Sequence, residues 1–388
     1  MKKSYIKGYS LKKVLFFLES LGNGGAEKIL AELVKHLDHN KYDVTVCTVT
    51  DEGRYQPQVE HYSRFSSFVH QSELARGGIY GLLYRLRINF IYRLPAAIVY
   101  RTFIREKYDV EVAFIEGFAT KLIAASDNPH SLKIAWIHID VLQNNYADKY
   151  FTSIENERKV YTIFNRILCV SQTVKKACDI KFNLGGKTLV QYNPIDEQII
   201  HLKAQEKCPL ERPSDGILLI TVGRLEEQKG YLRLVDFAAK LYSKGYMFSI
   251  WILGEGSQRN KIEKQIMRNH LEKCVKLVGF QENPYPYLMQ ADAFICSSYA
   301  EGFSTAATEA MLLGKPIFTT DCSGMRELFG KEQCGVIVDN NDEALFTMLE
   351  KLVSGQYNLE DFTAGIQRQK SFFQIENRIR EIEAYLDE

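Results

Sequence analysis

Glu301 and Glu309, two carboxylates with seven residues between them, have the type and spacing that best suit ligand chemistry in this sequence. A short apolar run at 293–297 predicts a buried strand, and 305–313 predicts a helix that ends at a glycine. Glu301 then falls in the loop between them, and Glu309 lies one turn into the helix. Because ligands of parallel sheets bind at the carboxyl ends of the strands, we expect both carboxylates at a binding site.

The main chain between the two glutamates suits an anion. Gly302, Phe303, Ser304 and Thr305 lead into the predicted helix, and backbone N–H groups at a helix N-terminus attract phosphate. Gly302 has no side chain and lets a ligand approach the backbone. Carboxylates that accept hydroxyl groups, beside amides that bind an anion, suit a molecule with both hydroxyls and phosphates. A nucleotide-sugar is such a molecule.

A second loop with phosphate-binding character follows a predicted strand at 217–222. It begins with Gly223-Arg224 and ends with Lys229-Gly230. Arginine can bind two phosphate oxygens as a fork, and lysine adds a point charge, so this loop suits a diphosphate. Glycines also follow the next two predicted strands, at Gly254 and Gly279.

A glycine-rich turn in the N-terminal half joins a predicted strand at 14–18 to a helix at 26–37. Gly24 and Gly25 give this turn a geometry that phosphates can approach, and Glu27 is a weaker candidate. The third glycine of a dinucleotide fingerprint is missing. An ordinary tight turn between strand and helix is the alternative interpretation.

Two further polar residues follow predicted strands of the N-terminal half. Glu116 follows a strand at 110–115, and His138 lies at the end of a strand at 133–139. Strand ends are where ligands meet a parallel sheet. A histidine at such a position is also common as a structural residue, so both roles stay open from the pattern alone.

The segment around the paired glutamates resembles the donor-site signature of retaining GT-B glycosyltransferases, and of family 4 in particular. The resemblance is carried by Glu301-Gly302-Phe303, Glu309-Ala310 and Gly314-Lys315-Pro316. Ser304 departs from the pattern, since many members have proline there. The resemblance implies that Glu301 contacts the transferred sugar and that Glu309 holds the ribose of the nucleotide.

The same resemblance implies roles for other residues. Arg224 and Lys229 would bind the donor diphosphate, His138 would lie against the donor sugar, and Gly24 and Gly25 would line the acceptor side of the site. The fold implied is α/β of the GT-B type, two Rossmann-like doubly wound parallel-sheet domains that face a cleft. We expect an acceptor domain at 1–194 and a donor domain at 195–369, with an irregular linker from 197 to 213. A terminal helix at about 370–388 is expected to pack on the first domain.

The reaction implied is transfer of a sugar from a nucleoside-diphosphate sugar, with a UDP-sugar as first candidate, to an acceptor hydroxyl with retention of configuration. No Asp-x-Asp motif occurs in the sequence, so we expect no metal or other cofactor, with Arg224, Lys229 and helix-end amides neutralising the leaving diphosphate. Two alternatives stay open: a nucleotide-sugar epimerase of the same architecture, and a scaffold in polysaccharide assembly whose donor site has decayed. The intact Glu301, Glu309, Arg224 and Lys229 argue against decay.

The composition limits the classes of partner and the cellular compartment that we expect for the protein. The 388 residues have a formal net charge of +1, which argues against a nucleic-acid partner, and the eight cysteines form no CxxC pair. Buried thiols of a cytoplasmic protein are the expectation. No apolar stretch predicts a leader or a membrane span.

One segment has a composition that is typical of helices that bind a membrane surface. Residues 79–107 interleave five arginines with aromatic and aliphatic residues, and Pro95 divides them into two predicted helices. This pattern suits the anionic inner face of the cell membrane, where a lipid-linked or other glycan acceptor would be found. Ordinary surface helices with arginines extended around a core face are the alternative.

Overall fold

The structure is a computed structural model that describes residues 10–22, 24–72, 78–144 and 146–388. These residues fold into two compact units. Unit 1 contains the described residues up to Val170 together with Val174–Pro194 and Glu376–Glu388, and unit 2 contains Ser171–Thr173 and Ile195–Ile375. Each unit is built on one parallel sheet with helical connections, as the sequence predicted.

Unit 1 has a sheet of seven parallel strands in the order β3-β2-β1-β4-β5-β6-β7. The central strand β1 carries a continuous apolar run because it is buried on both faces of the sheet. Beside it, the ring of Phe114 contacts those of Phe16 and Trp136. The strands are β1 (Lys12–Leu18), β2 (Tyr42–Thr50), β3 (Arg64–Val69), β4 (Val110–Ala113), β5 (Leu132–Ile137), β6 (Arg166–Cys169) and β7 (Thr188–Val190).

Most connections of unit 1 contain a helix, as parallel strands require. The helices are α1 (Gly25–His36), α2 (Gln56–Tyr62), α3 (Gly78–Arg93), α4 (Ala96–Phe103), α5 (Phe118–Ala124), α6 (Ile154–Tyr161) and α7 (Gln172–Phe182), with a 3₁₀ turn at Asp148–Tyr150. The chain returns to this unit with its last helix, which we number α16 (Ile375–Asp387). There the hydroxyl of Tyr42 donates to Asp387 at 2.7 Å, and the Asp38 N–H donates to Glu383 at 2.9 Å.

Unit 2 has a sheet of six parallel strands in the order β10-β9-β8-β11-β12-β13. They are β8 (Ile217–Val222), β9 (Phe248–Leu253), β10 (Val275–Gly279), β11 (Ala293–Cys296), β12 (Ile317–Thr320) and β13 (Gly335–Val338). The helices are α8 (Glu197–Ala204), α9 (Tyr231–Ser243), α10 (Arg259–Arg268), α11 (Tyr285–Gln290), α12 (Thr305–Leu312), α13 (Met325–Phe329), α14 (Asp342–Val353) and α15 (Thr363–Lys370). Short 3₁₀ turns lie at Glu227–Lys229, Leu359–Phe362 and Ser371–Phe373.

The strand order reverses at one point in each sheet, between β1 and β4 in unit 1 and between β8 and β11 in unit 2. At such a point the connections leave in opposite directions and open a crevice at the carboxyl ends of the strands. The predicted site residues follow these strands: Gly24, Gly25 and Glu116 in unit 1, and Arg224, Lys229 and Glu301 in unit 2.

The structure corrects two sequence-based expectations. The polar sequence of residues 50–80 has no clear hydrophobic period and predicts no element, yet α2 and the edge strand β3 lie within it. Strand β3 lacks a continuous apolar run. The predicted linker 197–213 is not wholly irregular, because α8 occupies 197–204 and the Asp196 side chain caps it by accepting the Ile199 N–H at 3.0 Å.

The basic segment forms α3 and α4 with a break at Pro95, as predicted. Within α3 only Tyr84 and Ile91 are buried. The helix has a second apolar face, which is exposed. Each of its residues exposes between 48% and 68% of its surface: Ile79, Leu82, Leu83, Leu86 and Phe90. Among the helices in the described ranges, none is both long and apolar enough to cross a bilayer. All eight cysteines are free, and seven of them are buried.

Candidate active site

Two loops meet at the carboxyl edge of the unit 2 sheet. Strands β8 and β11 pair in parallel, so the loop 223–230 and the loop 297–304 lie side by side at the point where the strand order reverses. The Tyr299 N–H donates to the Gln228 carbonyl at 2.8 Å, and the Gln228 side chain donates to the Ala300 carbonyl at 2.8 Å. These bonds hold the two predicted site loops together.

The predicted side chains Lys229 and Glu301 form an ion pair across these loops. Lys229 Nζ lies 2.6 Å from Oε1 and 2.9 Å from Oε2 of Glu301, and the two side chains are 20% and 8% exposed. Burial of the Lys229 ammonium would lower its pKa, but the Glu301 carboxylate outweighs this effect and holds that pKa above its usual value. The Ser298 hydroxyl donates a further hydrogen bond of 2.5 Å to Glu301 Oε1. Lys229 and Ser298 therefore fix the position of the Glu301 carboxylate.

Arg224 is exposed at the other end of the same loop. Its guanidinium makes no hydrogen bond or ion pair with any residue in the described part of the chain. Nearby, hydrogen bonds from the Ser257 side chain and N–H hold the pKa of Glu226 below its usual value, and the charge of Arg224 contributes a smaller part. Arg224 can thus turn its five donors toward an incoming anion, while Lys229 is already paired.

The helix after Glu301 begins where the sequence placed it. The Ser304 hydroxyl accepts the Ala307 N–H at 3.3 Å, so this serine is the N-cap of α12. The Phe303 side chain is 6% exposed, and its ring lies 6.1 Å from that of Phe373. Glu309 is 3% exposed and lies one turn into the helix, four residues after the half-buried Thr305.

Two of the predicted glycines of unit 2, Gly254 and Gly279, have positive φ angles, which favour glycine. Gly254 has φ +140°, and a Cβ there would lie 1.9 Å from the Gly223 carbonyl oxygen. Its N–H donates to the Gly279 carbonyl at 2.8 Å, while the Gly223 N–H donates to the Leu253 carbonyl at 3.0 Å. Gly254 therefore allows the ends of β8 and β9 to lie close together at the edge where the site loops begin.

In unit 1, Gly24 and Gly25 form the N-terminus of α1. Gly24 is the N-cap with φ −85°, which any residue could adopt. A Cβ on Gly24 would lie 2.1 Å from Glu27 Oε2, so a larger residue there would require only this flexible carboxylate to move. Gly25 is exposed.

Glu116 and His138 lie together just after the ends of the neighbouring strands β4 and β5. The buried Glu116 carboxylate accepts the backbone N–H groups of His138 and Ile139, the latter at 2.9 Å. Burial raises the pKa of Glu116 to about 7, although these N–H donors and its own oppose the rise. Burial also lowers the pKa of His138 to about 3, and the hydrogen bond with the Phe114 backbone opposes this only in part. His138 is therefore neutral at physiological pH, and its Nε2 is buried with no hydrogen-bond partner among the described residues.

Sequence reasoning missed two features of these edges. In unit 1, Glu19 follows β1 and accepts the hydroxyls of Tyr146 and Tyr150, both at 2.7 Å. These tyrosines are far from Glu19 in the sequence, so no local pattern could have joined them. In unit 2, the buried Arg233 contacts the loop that carries Glu301. The sequence does contain a signal for Arg233, because this arginine interrupts the apolar residues on the buried face of α9.

Two family profiles match this chain. Residues 23–199 match Glycosyltransferase Family 4, and residues 203–369 match Glycosyl transferases group 1. The chain is 27% identical over 352 residues to the Campylobacter jejuni N-acetylgalactosamine-N,N'-diacetylbacillosaminyl-diphospho-undecaprenol 4-alpha-N-acetylgalactosaminyltransferase, covering 88% of this chain and 91% of the relative. It is 33% identical over 147 residues to the amylovoran biosynthesis glycosyltransferase AmsK of Erwinia amylovora, covering 36% of each protein.

Solved structures show the same fold. Anabaena HepE in complex with UDP-glucose has a TM-score of 0.72 and 19% identity, covering 97% of this chain and 99% of that one. The sucrose-phosphate synthase of Thermosynechococcus elongatus has a TM-score of 0.72 and 15% identity, covering 96% and 98%. Two parallel-sheet units with these matches identify the chain as a GT-B glycosyltransferase of family 4, in the glycosyl transferases group 1.

Proposed function

We propose that the protein is a retaining glycosyltransferase that moves a sugar from a nucleoside-diphosphate sugar to an acceptor hydroxyl of a polysaccharide or lipid-linked glycan. The observation that carries this proposal is the arrangement of Lys229, Glu301 and Arg224 at the reversal point of the unit 2 sheet. One carboxylate is held in place and one guanidinium is exposed, so hydroxyls and phosphates can be bound together.

Arg224 supplies the main contact to the diphosphate in this proposal. Its exposed guanidinium can bind two phosphate oxygens at once. Backbone N–H groups at the start of α12 add partial positive charge at the same sheet edge. The buried carboxylate of Glu309, one turn into that helix, then holds hydroxyls of the ribose.

The chemical step breaks the bond between the sugar C1 and the β-phosphate oxygen. The acceptor oxygen attacks C1 from the face that the phosphate leaves, and the hydroxyl proton passes to the departing phosphate oxygen. Arg224 and Lys229 stabilise the charge that develops on the diphosphate, so the proposed step requires no metal ion. Glu301 is less suited to act as a covalent nucleophile, because Lys229 and Ser298 already bind its oxygens. Retention therefore follows from attack on the same face.

UDP is our first candidate for the nucleotide, since the HepE neighbour was solved with UDP and with UDP-glucose. For the acceptor, the name of the Campylobacter relative specifies a diphospho-undecaprenol carrier. We propose an acceptor of the same general class, a glycan under assembly on a lipid.

The exposed apolar face of α3 supports a membrane location for such an acceptor. Its five residues recur at positions i, i+3, i+4, i+7 and i+11 from Ile79, so they form a single stripe. Arg85, Arg87 and Arg93 are exposed on the same helix. An apolar stripe with flanking cations is the pattern by which interfacial helices bind anionic lipid headgroups. We propose that α3 attaches unit 1 peripherally to an anionic membrane.

Incubation with a UDP-sugar panel and a lipid-linked glycan extract, in EDTA, tests the function. Release of UDP and a product with the donor's anomeric configuration, followed by proton NMR, is the expected result. Inversion at C1 would contradict the retaining mechanism. Conversion of the donor to its epimer without an acceptor would replace the proposal with the epimerase alternative.

A further inference from the structure

We infer that Arg233 is a positioning residue for the donor site: it fixes the backbone of the loop that carries Glu301. This inference rests on the proposed function in one respect, the assignment of Glu301 to the transferred sugar. Arg233 is the third residue of α9 and is only 5% exposed. Burial of an arginine destabilises the fold unless its donors are paired. The partners of Arg233 therefore indicate which part of the structure it stabilises.

The guanidinium donates mainly to backbone carbonyls. Arg233 Nε and Nη2 donate to the Ser297 carbonyl at 2.9 Å and 2.7 Å, and Nη2 also donates to the Ser298 carbonyl at 2.9 Å. Two further contacts go to Asn340 Oδ1 at 3.0 Å and to Asp342 Oδ1 at 3.5 Å. The guanidinium carbon lies 3.8 Å from the centre of the Tyr299 ring. Only a planar fork satisfies this set of partners.

Four consecutive carbonyls of the loop are each bound by a side chain. Besides Arg233, the Thr320 hydroxyl donates to the Ser298 carbonyl at 2.8 Å. The Asn340 amide donates to the Tyr299 carbonyl at 2.7 Å, and the Gln228 amide donates to the Ala300 carbonyl at 2.8 Å. The loop 297–300 therefore has few alternative conformations, although it has no regular secondary structure.

A glycine next to Lys229 makes the contact with this loop possible. Gly230 has φ +65°, and a Cβ there would lie 2.1 Å from the Ser297 carbonyl oxygen. The same carbonyl is the one that receives two Arg233 donors. Gly230 and Arg233, both at the start of α9, thus hold the Ser297 carbonyl in one position.

The fixed backbone leads directly to the reacting end of the site. Ser298, whose carbonyl Arg233 binds, donates its hydroxyl to Glu301 Oε1 at 2.5 Å. Glu301 in turn holds Lys229. Loss of the guanidinium would release the loop and displace this carboxylate, whereas Arg224 and Glu309 would keep their places. Turnover should therefore suffer more than nucleotide affinity, since a displacement of about 1 Å can cost about 100-fold in rate.

The test compares R233M and R233K with K240M, which removes an exposed cation from the same helix. Hydrogen–deuterium exchange of peptides covering 297–304 is measured first, because it requires no substrate. Steady-state turnover of a UDP-sugar, detected as released UDP, and UDP affinity by calorimetry follow. We expect at least about tenfold faster exchange and about tenfold lower kcat in R233M, with KM and UDP affinity within about threefold of wild type. R233K should recover part of both losses.

Unchanged exchange over 297–304 in R233M would overturn the inference, whatever the activity of the enzyme. A parallel loss of kcat and UDP affinity would also overturn it, because that pattern indicates general damage to unit 2. Failure of the wild-type protein to bind any nucleotide would instead refute the proposed function, and the exchange data would still decide the structural role of Arg233.

Discussion

Lys229 Nζ lies within 3 Å of both carboxylate oxygens of Glu301, although the two residues are 72 positions apart in the sequence. The pair forms because β8 and β11 are neighbours and their following loops meet. Each residue was predicted to touch a different part of a nucleotide-sugar. Their contact means that the Glu301 carboxylate and the Lys229 ammonium are paired with each other before any ligand arrives.

Replacement of Lys229 by methionine should strongly destabilise unit 2. It leaves a buried carboxylate without its partner, and breaking a buried ion pair in this way costs about 3 kcal/mol or more. The double variant K229M/E301Q should recover part of this loss, because no charge is then left unpaired. Urea unfolding followed by circular dichroism measures both. The exposed pair Arg368–Glu332 provides a control, since R368M should leave the unfolding curve nearly unchanged. Equal losses in K229M and R368M would show that the pair is not a buried one.

The pKa of Glu116 predicts an unusual dependence of stability on pH. Its folded-state pKa, about 7, lies above the ordinary value of 4.5, so the protonated carboxyl stabilises the fold. This contribution is complete below pH 4.5, is lost as the pH rises to about 7, and amounts to about 3 kcal/mol. In E116Q the amide cannot ionise and still accepts the His138 and Ile139 N–H groups.

The stability of E116Q relative to wild type should therefore rise between pH 4.5 and 7 and then stay level. Urea unfolding at half-unit pH intervals measures this difference. His138, whose pKa is lowered, contributes the opposite slope below pH 6.5, but it is present in both proteins and cancels in the difference. E155Q, at an exposed glutamate of the same unit, should show no such rise. A difference that does not vary with pH would contradict the ionisation of Glu116 in this range.

Arg224→Ala should remove most transferase activity and weaken binding of the nucleoside diphosphate without lowering the stability of the protein. The side chain is exposed and has no partner in the described ranges, so its loss costs the fold little. Loss of a charge-assisted contact to phosphate should reduce affinity by about tenfold or more. R268A, which removes an exposed arginine from α10, is the matched control. A fully active R224A enzyme would refute the diphosphate assignment.

Charge reversal on α3 should release the protein from anionic vesicles. Each cation near such a surface contributes about 1 kcal/mol, so R85E/R93E should reduce co-sedimentation with phosphatidylglycerol-containing liposomes by at least about tenfold at low salt. L82S/L86S should reduce it as well, because it removes part of the exposed apolar stripe. Neutral liposomes serve as the control. Binding that is equally weak to neutral and anionic vesicles in the wild type would refute the membrane proposal.

The sequence identifies candidate residues for the proposed donor site, but it does not predict their mutual contacts. Glu301, Glu309, Arg224 and Lys229 could each be selected, because local strings place them after strands or at a helix start. The ion pair between Lys229 and Glu301 depends on strand order, which one sequence does not reveal. The hydrogen bond from the His138 N–H to Glu116 could not be predicted for the same reason, because it depends on β4 and β5 being neighbours.

Elements with weak patterns were also missed. The edge strand β3 contains Arg64, Ser66 and Ser67 and has only one fully buried side chain, so its composition resembles that of a loop. The helix α8 lies among charged residues, and its start depends on the Asp196 cap. The strongly apolar strands of both sheets were located because burial on two faces requires continuous apolar runs.

The most direct test of the central claim is a thermal-unfolding comparison of the wild type and E309Q with UDP, GDP and ADP in EDTA. A ligand at about 100 times its Kd stabilises a protein by about 2.7 kcal/mol, a shift of several degrees for a chain of this size. We predict such a shift for one nucleotide, UDP first, in the wild type and a much smaller one in E309Q. A wild-type protein whose unfolding midpoint does not move with any of the three, or moves equally in both proteins, would contradict a metal-independent nucleotide site at the carboxyl edge of the unit 2 sheet.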